Sequence, residues 1–367
     1  MHVTKRVLLA RGASLPSSTG LGRAHYSVED ALQNEKVPGW SRLDTIEHNN
    51  IRFPLSRLMT RWRFHPAKVS ASVKNPGADL LHITDQEQAH LVPTYRNIPT
   101  VVTVHDMFHL EPRKVKSGET EVQIGENTPG LIRRMDLKRM RKGLQRADLL
   151  ICISEMTLRD VNRSFPGKPT FLVRPQIDLE YWSPERNPKP REIISEFVDD
   201  SECLLITVGS NEPRKRIDYA KQAISSLPLE VNREIRLLNI GSEVKLSNDQ
   251  LIAAFQHAEA ILFPSFSEGF GYPPAEAMAA GCRVIAADFP AQNEFIPSAC
   301  LLEPTNLEEW TAEIADVHSK WRERRGLPKS PDQNMIGHVS SILGPEKYGK
   351  ALSNAYEEAL EIMEERR

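Results

Sequence analysis

Two series of short, continuous apolar runs set the tightest limit on what this 367-residue chain can fold into. The first series covers residues 6–10, 79–84, 100–105, 149–153 and 170–173, and the second covers 203–208, 235–240, 260–263, 283–287 and 299–302. Runs of this length, rich in Val, Ile and Leu and without alternation, suit strands covered on both faces, as in a parallel sheet. Segments of helical period lie between them, at 27–34, 131–146, 217–226, 249–257 and 274–280. Strand–helix alternation predicts an α/β fold built of doubly wound units, and right-handed crossovers limit the topology.

The alternation breaks at residues 174–190, where Pro175, Pro184, Pro188 and Pro190 fall close together. Such a stretch reads as a domain linker. It also divides the charge. Residues 1–180 carry 27 Lys and Arg against 19 Asp and Glu, and residues 181–367 carry 20 against 30, beneath a net charge of −2. A basic first half suits an anionic partner, although solvated helix faces would account for it equally. From about Pro345 the chain reads as an amphipathic helix, with Tyr348, Leu352, Tyr356 and Leu360 four apart on one face. The expected organisation is a first Rossmann-like domain over 1–176, a shortened second one over 177–344, and a helix over 345–367 that returns to the first domain, the two domains facing across a cleft.

No apolar run approaches the roughly 18 residues of a membrane span. Residues 1–11 lead into Gly, Ser and Pro rather than an apolar signal core. Cys152, Cys203, Cys282 and Cys300 are far apart and show no metal-ligand spacing. Buried free thiols in the cytoplasm are the expectation. No Gly-x-Gly-x-x-Gly follows the first strand with an acid about 20 residues on, which argues against a nicotinamide enzyme.

The densest motif spans residues 263–276, Phe-Pro-Ser-Phe-Ser-Glu-Gly-Phe-Gly-Tyr-Pro-Pro-Ala-Glu. A buried strand ends at Phe263, a loop with Gly269 and Gly271 follows, and Pro273 and Pro274 open a helix, where a missing N–H costs nothing. Backbone donors and a helix N-terminus at the C-terminal end of a parallel strand make a place for an anion. Glu268 and Glu276 flank the loop, and carboxylates accept hydrogen bonds in pairs from sugar hydroxyls. Taken singly, Glu276 would serve as first-turn dipole compensation and Glu268 as a surface-loop carboxylate.

Glu268 to Glu276 resembles the Glu-x7-Glu motif of retaining, two-domain GT-B glycosyltransferases of family 4, and the likeness runs on through Ala275–Ala287 and 290–295. Weaker pieces are Val208-Gly-Ser-Asn-Glu-Pro-Arg-Lys-Arg, Val104-His-Asp-Met, and residues 147–154. The resemblance implies that Glu268 bonds hydroxyls of the transferred sugar and Glu276 those of the ribose. Phe270 and Gly271 would offer backbone N–H groups. Arg214 and Lys215 would grip the diphosphate, with Gly209 and Ser210 close to it. Gly20, Gly22 and Arg23 would form a loop over the donor phosphates, and His105 would approach the transferred sugar. Asp106 would orient His105 or cap the next segment, and Ser154 reads as a helix cap. The catalytic set so implied is His105, Glu268 and Lys215, with a GDP- or UDP-linked sugar as co-substrate. The resemblance implies no metal or other cofactor, and the lack of an Asp-x-Asp triplet agrees with that.

Two departures from the family pattern stand out. Ser210 occupies a position where many relatives have arginine, which leaves Arg214 and Lys215 to supply the charge. After Ile240-Gly-Ser the chain reaches the next helical segment within about ten residues, so the second sheet is expected to be one strand short. The basic amphipathic segment 131–146 would either pack on the sheet or touch an anionic membrane. The polar segment 113–130 is the candidate acceptor loop. The activity implied is transfer of a mannose- or glucose-type hexose to a glycan or lipid-linked acceptor in polysaccharide or glycoconjugate synthesis. A non-catalytic sugar-nucleotide binder and an epimerase on the same fold are the alternatives, and nucleic acid is not an expected partner.

Overall fold

The computed structural model describes residues 4–16, 19–74, 77–199, 201–325 and 327–366. Two compact units emerge. One comprises residues 1–112, 125–176 and 345–367, the other 113–124 and 177–344.

The sheet of the first unit has six strands: β1 (Lys5–Ala13), β2 (Trp40–His48), β3 (Leu80–Ile83), β4 (Thr100–Val104), β7 (Leu149–Cys152) and β8 (Thr170–Leu172), in the order β2-β1-β3-β4-β7-β8. Every ladder is parallel. The central strands β3, β4 and β7 are buried along their whole length, as continuous apolar runs demand. β2 was absent from the sequence reading. It is an edge strand, WSRLDTIEH, with only Trp40 and Ile46 buried, so it lacks the apolar run that marks the others.

The helix Pro345–Glu365 packs into the first unit. Its Tyr356 ring meets Trp40 edge-on at 5.1 Å, and its hydroxyl lies 2.7 Å from His82 Nδ1. Glu357 accepts from Lys5 Nζ at 2.6 Å and from Trp40 Nε1 at 2.9 Å. Burial of His82 pushes its imidazole down to about 3, so it is neutral and serves as a polar bridge to this helix.

The second unit holds a five-stranded parallel sheet: β9 (Cys203–Val208), β10 (Ile235–Ile240), β11 (Ala260–Phe263), β12 (Arg283–Ala287) and β13 (Leu301–Leu302), ordered β10-β9-β11-β12-β13. It also takes in residues 113–124, read from the sequence as part of the first domain and of an open acceptor loop. They form instead an antiparallel hairpin of β5 (Arg113–Ser117) and β6 (Thr120–Ile124), in register from Arg113–Ile124 to Ser117–Thr120. The hairpin's apolar side is the reason: Val122 and Ile124 are buried while their neighbours face outward.

In each parallel sheet the strand that comes first in the chain lies between the second and the third. The chain therefore reverses its direction of winding between β1 and β3 in one unit and between β9 and β11 in the other. At such a switch point the loops leaving neighbouring strands part in opposite directions and open a crevice at the strands' C-terminal ends.

Candidate functional site

In the second unit the loops leaving β9 and β11 carry the charged residues of the motif. β9 is followed by Gly209, whose φ of 151° and close approach to Lys215 Cε, 3.3 Å from where a Cβ would stand, explain the glycine. A single turn, Pro213–Lys215, then aims two cations back over the strand end. The two loops are tied together because the Arg214 carbonyl accepts from Phe266 N at 2.9 Å and from Ser265 Oγ at 3.2 Å. Gln292 braces them from below, donating to the Ser265 carbonyl at 3.1 Å and the Ala287 carbonyl at 2.5 Å.

The side chains converge on Glu268. Its Oε1 accepts from Lys215 Nζ at 2.5 Å and Ser265 Oγ at 2.7 Å, and its Oε2 from Arg214 at 2.8 Å. Arg214 also reaches the Ser267 carbonyl and, through Nε, Glu212 Oε2, each at 2.8 Å. Ser210 Oγ donates to Glu212 Oε1 at 2.5 Å. Burial by itself would raise the Glu268 carboxyl, but Lys215 and Arg214 outweigh it and hold the group below the usual carboxylate range. For Arg214, burial lowers and the carboxylates of Glu268 and Glu212 raise, with the net effect upward. Two basic side chains thus face two carboxylates, Glu268 and Glu212, in one cluster.

Gly271, with φ 111°, precedes the helix Tyr272–Ala279. Phe270 is buried and stacks on Phe295 with ring centroids 4.7 Å apart. That packing fixes the backbone of Phe270 and Gly271 beside the cluster's loop. Glu276 sits within the helix and is 1% exposed. Arg216, which closes the basic motif, is structural: its guanidinium lies between the Tyr219 and Phe266 rings at 3.9 and 3.8 Å and donates to the Pro304 carbonyl.

The remaining sequence candidates belong to the first unit. Gly20, Gly22 and Arg23 are helical rather than a loop. They make the first turn of the helix Gly20–Gln33, with Thr19 as its N-cap accepting from Gly22 N at 3.1 Å. Gly22 is required because a Cβ would stand 2.1 Å from the Pro16 carbonyl oxygen. His105 is buried, with Nε2 donating to the Thr84 carbonyl at 2.9 Å. Burial lowers its pKa against the opposing pull of that carbonyl and of Asp106, leaving a neutral ring with Nδ1 as its acceptor. Asp106 Oδ1 caps the following turn by accepting from Phe108 N at 3.0 Å, and Ser154 caps the helix Glu155–Ser164 through Thr157 N.

Sequence reasoning missed a cavity of about 870 Å³ at the first unit's own switch point. Its wall includes Arg11 and Ala13 from the end of β1, Thr84 and Asp85 beyond β3, and His25. His25 Nδ1 lies 2.6 Å from Thr84 Oγ1, while its buried Nε2 has no hydrogen-bond partner among the described residues. Burial pushes His25 down to about 4 and Asp85 up to about 7. The signals available were a histidine on the buried face of a helix and an Asp just after a buried strand. Glu212 was also passed over, although a carboxylate two residues before Arg214 is a ready partner. Among the described residues no group of three or more His, Cys, Asp and Glu is placed to hold a metal ion.

Two family models match the chain. Residues 26–181 fit Glycosyltransferase Family 4, and residues 244–333 fit Glycosyl transferases group 1. The chain belongs to glycosyltransferase family 4, group 1. Relatives of this family-4 chain include the O-antigen chain mannosyltransferase RfbU of Salmonella typhimurium, 31% identical over 136 residues, a stretch that is 35% of each protein. The O-antigen chain mannosyltransferase B of Escherichia coli is 23% identical over 53% of this chain and 58% of its own length. In both cases the match spans less than two thirds of the relative.

Solved structures give the fold. Sucrose-phosphate synthase from Thermosynechococcus elongatus superposes with a TM-score of 0.69 at 16% identity, covering 96% of this chain and 98% of that one. Anabaena HepE, solved with UDP and glucose, reaches 0.65 at 12% identity over 98% and 100%. The fold of this family-4 chain is GT-B, α/β with two Rossmann-like units.

Proposed function

We propose that the chain is a metal-independent, retaining glycosyltransferase. It moves a hexose of the mannose or glucose type from a GDP- or UDP-linked donor to a glycan or lipid-linked acceptor in surface polysaccharide or glycoconjugate synthesis. The observation that carries this reading is the Arg214–Lys215–Glu268 cluster at the switch point between β9 and β11. With Glu212 on Arg214, each cation already has a carboxylate partner. A donor diphosphate takes over the two cations, and Glu268, released from them, accepts hydrogen bonds from the hydroxyls of the sugar.

The chemistry follows from charge. Cleaving the bond between the anomeric carbon and the phosphate oxygen builds negative charge on the leaving diphosphate. Fixed cations stabilise that charge without reorganising. The backbone N–H groups of Phe270 and Gly271 add neutral donors, and Glu276 holds the ribose. The acceptor oxygen bonds to the anomeric carbon on the face the diphosphate leaves, and its proton passes to the leaving phosphate oxygen. No protein nucleophile is used, since Glu268, once released from the cations, is committed to the sugar hydroxyls. The first-unit cavity takes the acceptor, and His105, held neutral with Nδ1 as acceptor, orients a hydroxyl.

The names of the relatives make GDP-mannose the first donor to try. Purified protein is incubated with GDP-mannose or UDP-glucose in EDTA, and release of the nucleoside diphosphate is followed. Slow turnover that EDTA does not change is the expected result. Failure to bind or turn over any member of a donor panel refutes the proposal.

A second reading, a sugar-nucleotide binder without turnover, draws on one observation: Arg214 and Lys215 already have carboxylate partners. Lys215→Ala separates the two. A transferase loses turnover more than donor affinity, whereas a binder has no turnover to lose.

A further inference from the structure

The basic excess of the first half has an address. Residues 51–78 contain six Lys and Arg and no Asp or Glu, and residues 127–147 contain seven against Asp136 alone. These two segments thus hold 13 of the 27 basic and one of the 19 acidic residues of positions 1–180, and the remainder of that half is slightly acidic.

The two segments are neighbours in the first unit. Arg61 forms a two-pronged pair with Asp136 at 2.9 and 2.8 Å, Trp62 Nε1 donates to the same carboxylate at 3.1 Å, and Arg139 lies 4.1 Å from the Trp62 ring centroid. Asp136 and the nearby Glu87 are fully committed to Arg61 and Arg133. Outside those pairs Arg52, Arg57, Arg63, Arg134, Lys138 and Lys142 project into solvent.

The same surface is apolar. Among the described residues eleven large hydrophobic side chains are exposed, and seven of them are here. Phe53, Leu55, Met59 and Phe64 come from one segment, and Leu131, Ile132 and Met135 from the start of the helix Leu131–Arg146. Phe53, Leu55 and Leu131 are 77, 73 and 76% exposed. Concentrating so much apolar surface in one place is uncommon on a protein that meets only water.

We propose that this face docks on an anionic lipid bilayer. Apolar side chains enter the boundary between headgroups and acyl chains, and the surrounding cations pair with lipid phosphates. Charge complementarity selects an anionic surface. The apolar side chains select a bilayer over a nucleic acid, whose phosphate backbone gives them nothing to bury against. Leu55 and Ile132 belong to the face and also line the 870 Å³ cavity. Docking therefore sets that cavity beside the headgroups, where a lipid-linked acceptor would enter it. This last step rests on the transferase reading, but the docking does not.

The test is flotation of the full chain with vesicles of phosphatidylcholine alone or mixed with phosphatidylglycerol, at low and high salt. Binding is expected to the anionic vesicles, weakened by salt. Each basic residue near a charged surface contributes about 1 kcal/mol, or about five-fold in partition. Arg57→Gln with Arg134→Gln should then weaken binding by about 25-fold. Phe53→Ser with Leu131→Ser alters only exposed groups and should weaken binding at low and high salt alike. No flotation with anionic vesicles at low salt overturns the proposal, as does equal flotation with the neutral ones. A dimer abolished by Phe53→Ser with Leu131→Ser, or nucleic acid retained in place of lipid, overturns it too. Because flotation needs no turnover, an inactive protein that floats refutes the transferase reading and leaves the docking intact.

Discussion

Replacing Glu268 by glutamine keeps its shape and removes the charge that both cations share. Glu268 is 7% exposed and accepts three hydrogen bonds, two of them from Lys215 and Arg214 at 2.5 and 2.8 Å. With an effective dielectric of about 20, each cation contact is worth about 6 kcal/mol before desolvation. Removing one partner of such a buried group costs about 3–5 kcal/mol. The low end applies here, because Arg214 keeps Glu212 as a partner at 2.8 Å. A loss of about 3 kcal/mol in a unit of this size lowers the melting temperature by about 6–12 °C.

The pH dependence gives the sign. The folded-state pKa of Glu268 is depressed, so its stabilisation is present above the ordinary value of 4.5 and is lost as the pH falls through the folded value. The gap between the wild type and Glu268→Gln should be widest at neutral pH and close in acid. Freed cations should also bind GDP or UDP at least as tightly, while donor turnover falls by about 100-fold, the lower end of what one electrostatic contact contributes. Thermal unfolding across pH, nucleotide titration and donor turnover on one protein supply all three readouts. A variant with unchanged stability and weaker nucleotide binding would show that Glu268 does not compete with phosphate for the cations.

Two further predictions concern the first unit. Asp85, moved by burial from 3.8 to about 7, stays protonated while the unfolded chain ionises, so the stability it contributes is complete below pH 3.8 and is lost as the pH rises to about 7. Asp85→Asn keeps an acceptor for Glu87 N and should gain on the wild type across that window, by at most about 4 kcal/mol; a pH-independent difference in urea unfolding would refute this. Tyr356→Phe removes the hydroxyl 2.7 Å from the fully buried His82 Nδ1. It should cost about 1–3 kcal/mol, and an unchanged unfolding midpoint would mean that this bridge does not hold the last helix.

The strands of the second unit were legible to the residue at Cys203–Val208, Ile235–Ile240, Ala260–Phe263 and Arg283–Ala287. Cys203–Val208 and Ala260–Phe263 lie inside the sheet and are buried almost throughout, so their apolar runs are unbroken. Trp40–His48 was not legible, since an edge strand needs apolar residues only where it touches the core. The helix Gly20–Gln33 begins seven residues before its expected start. Gly20 and Gly22 have the composition of a turn, and only the approach of the Pro16 carbonyl reveals why one of them must lack a side chain.

At the site, residue types were legible and their partnerships were not. Arg214, Lys215 and Glu268 carry the right chemistry for a phosphate and a sugar, yet the bonds among them span 53 and 54 positions. Those bonds exist because β9 and β11 are neighbours, with β10 set outside them. Strand order is a property of how the whole unit winds, and no local pattern encodes it. The same reasoning explains the overlooked cavity, which lies where β1 and β3 adjoin and draws its wall from loops about 70 residues apart. In both units the reactive groups lie where winding reverses, so the residues that matter together are remote in sequence as a consequence of the topology. A motif can locate one side of such a crevice, and only the order of the strands brings in the other.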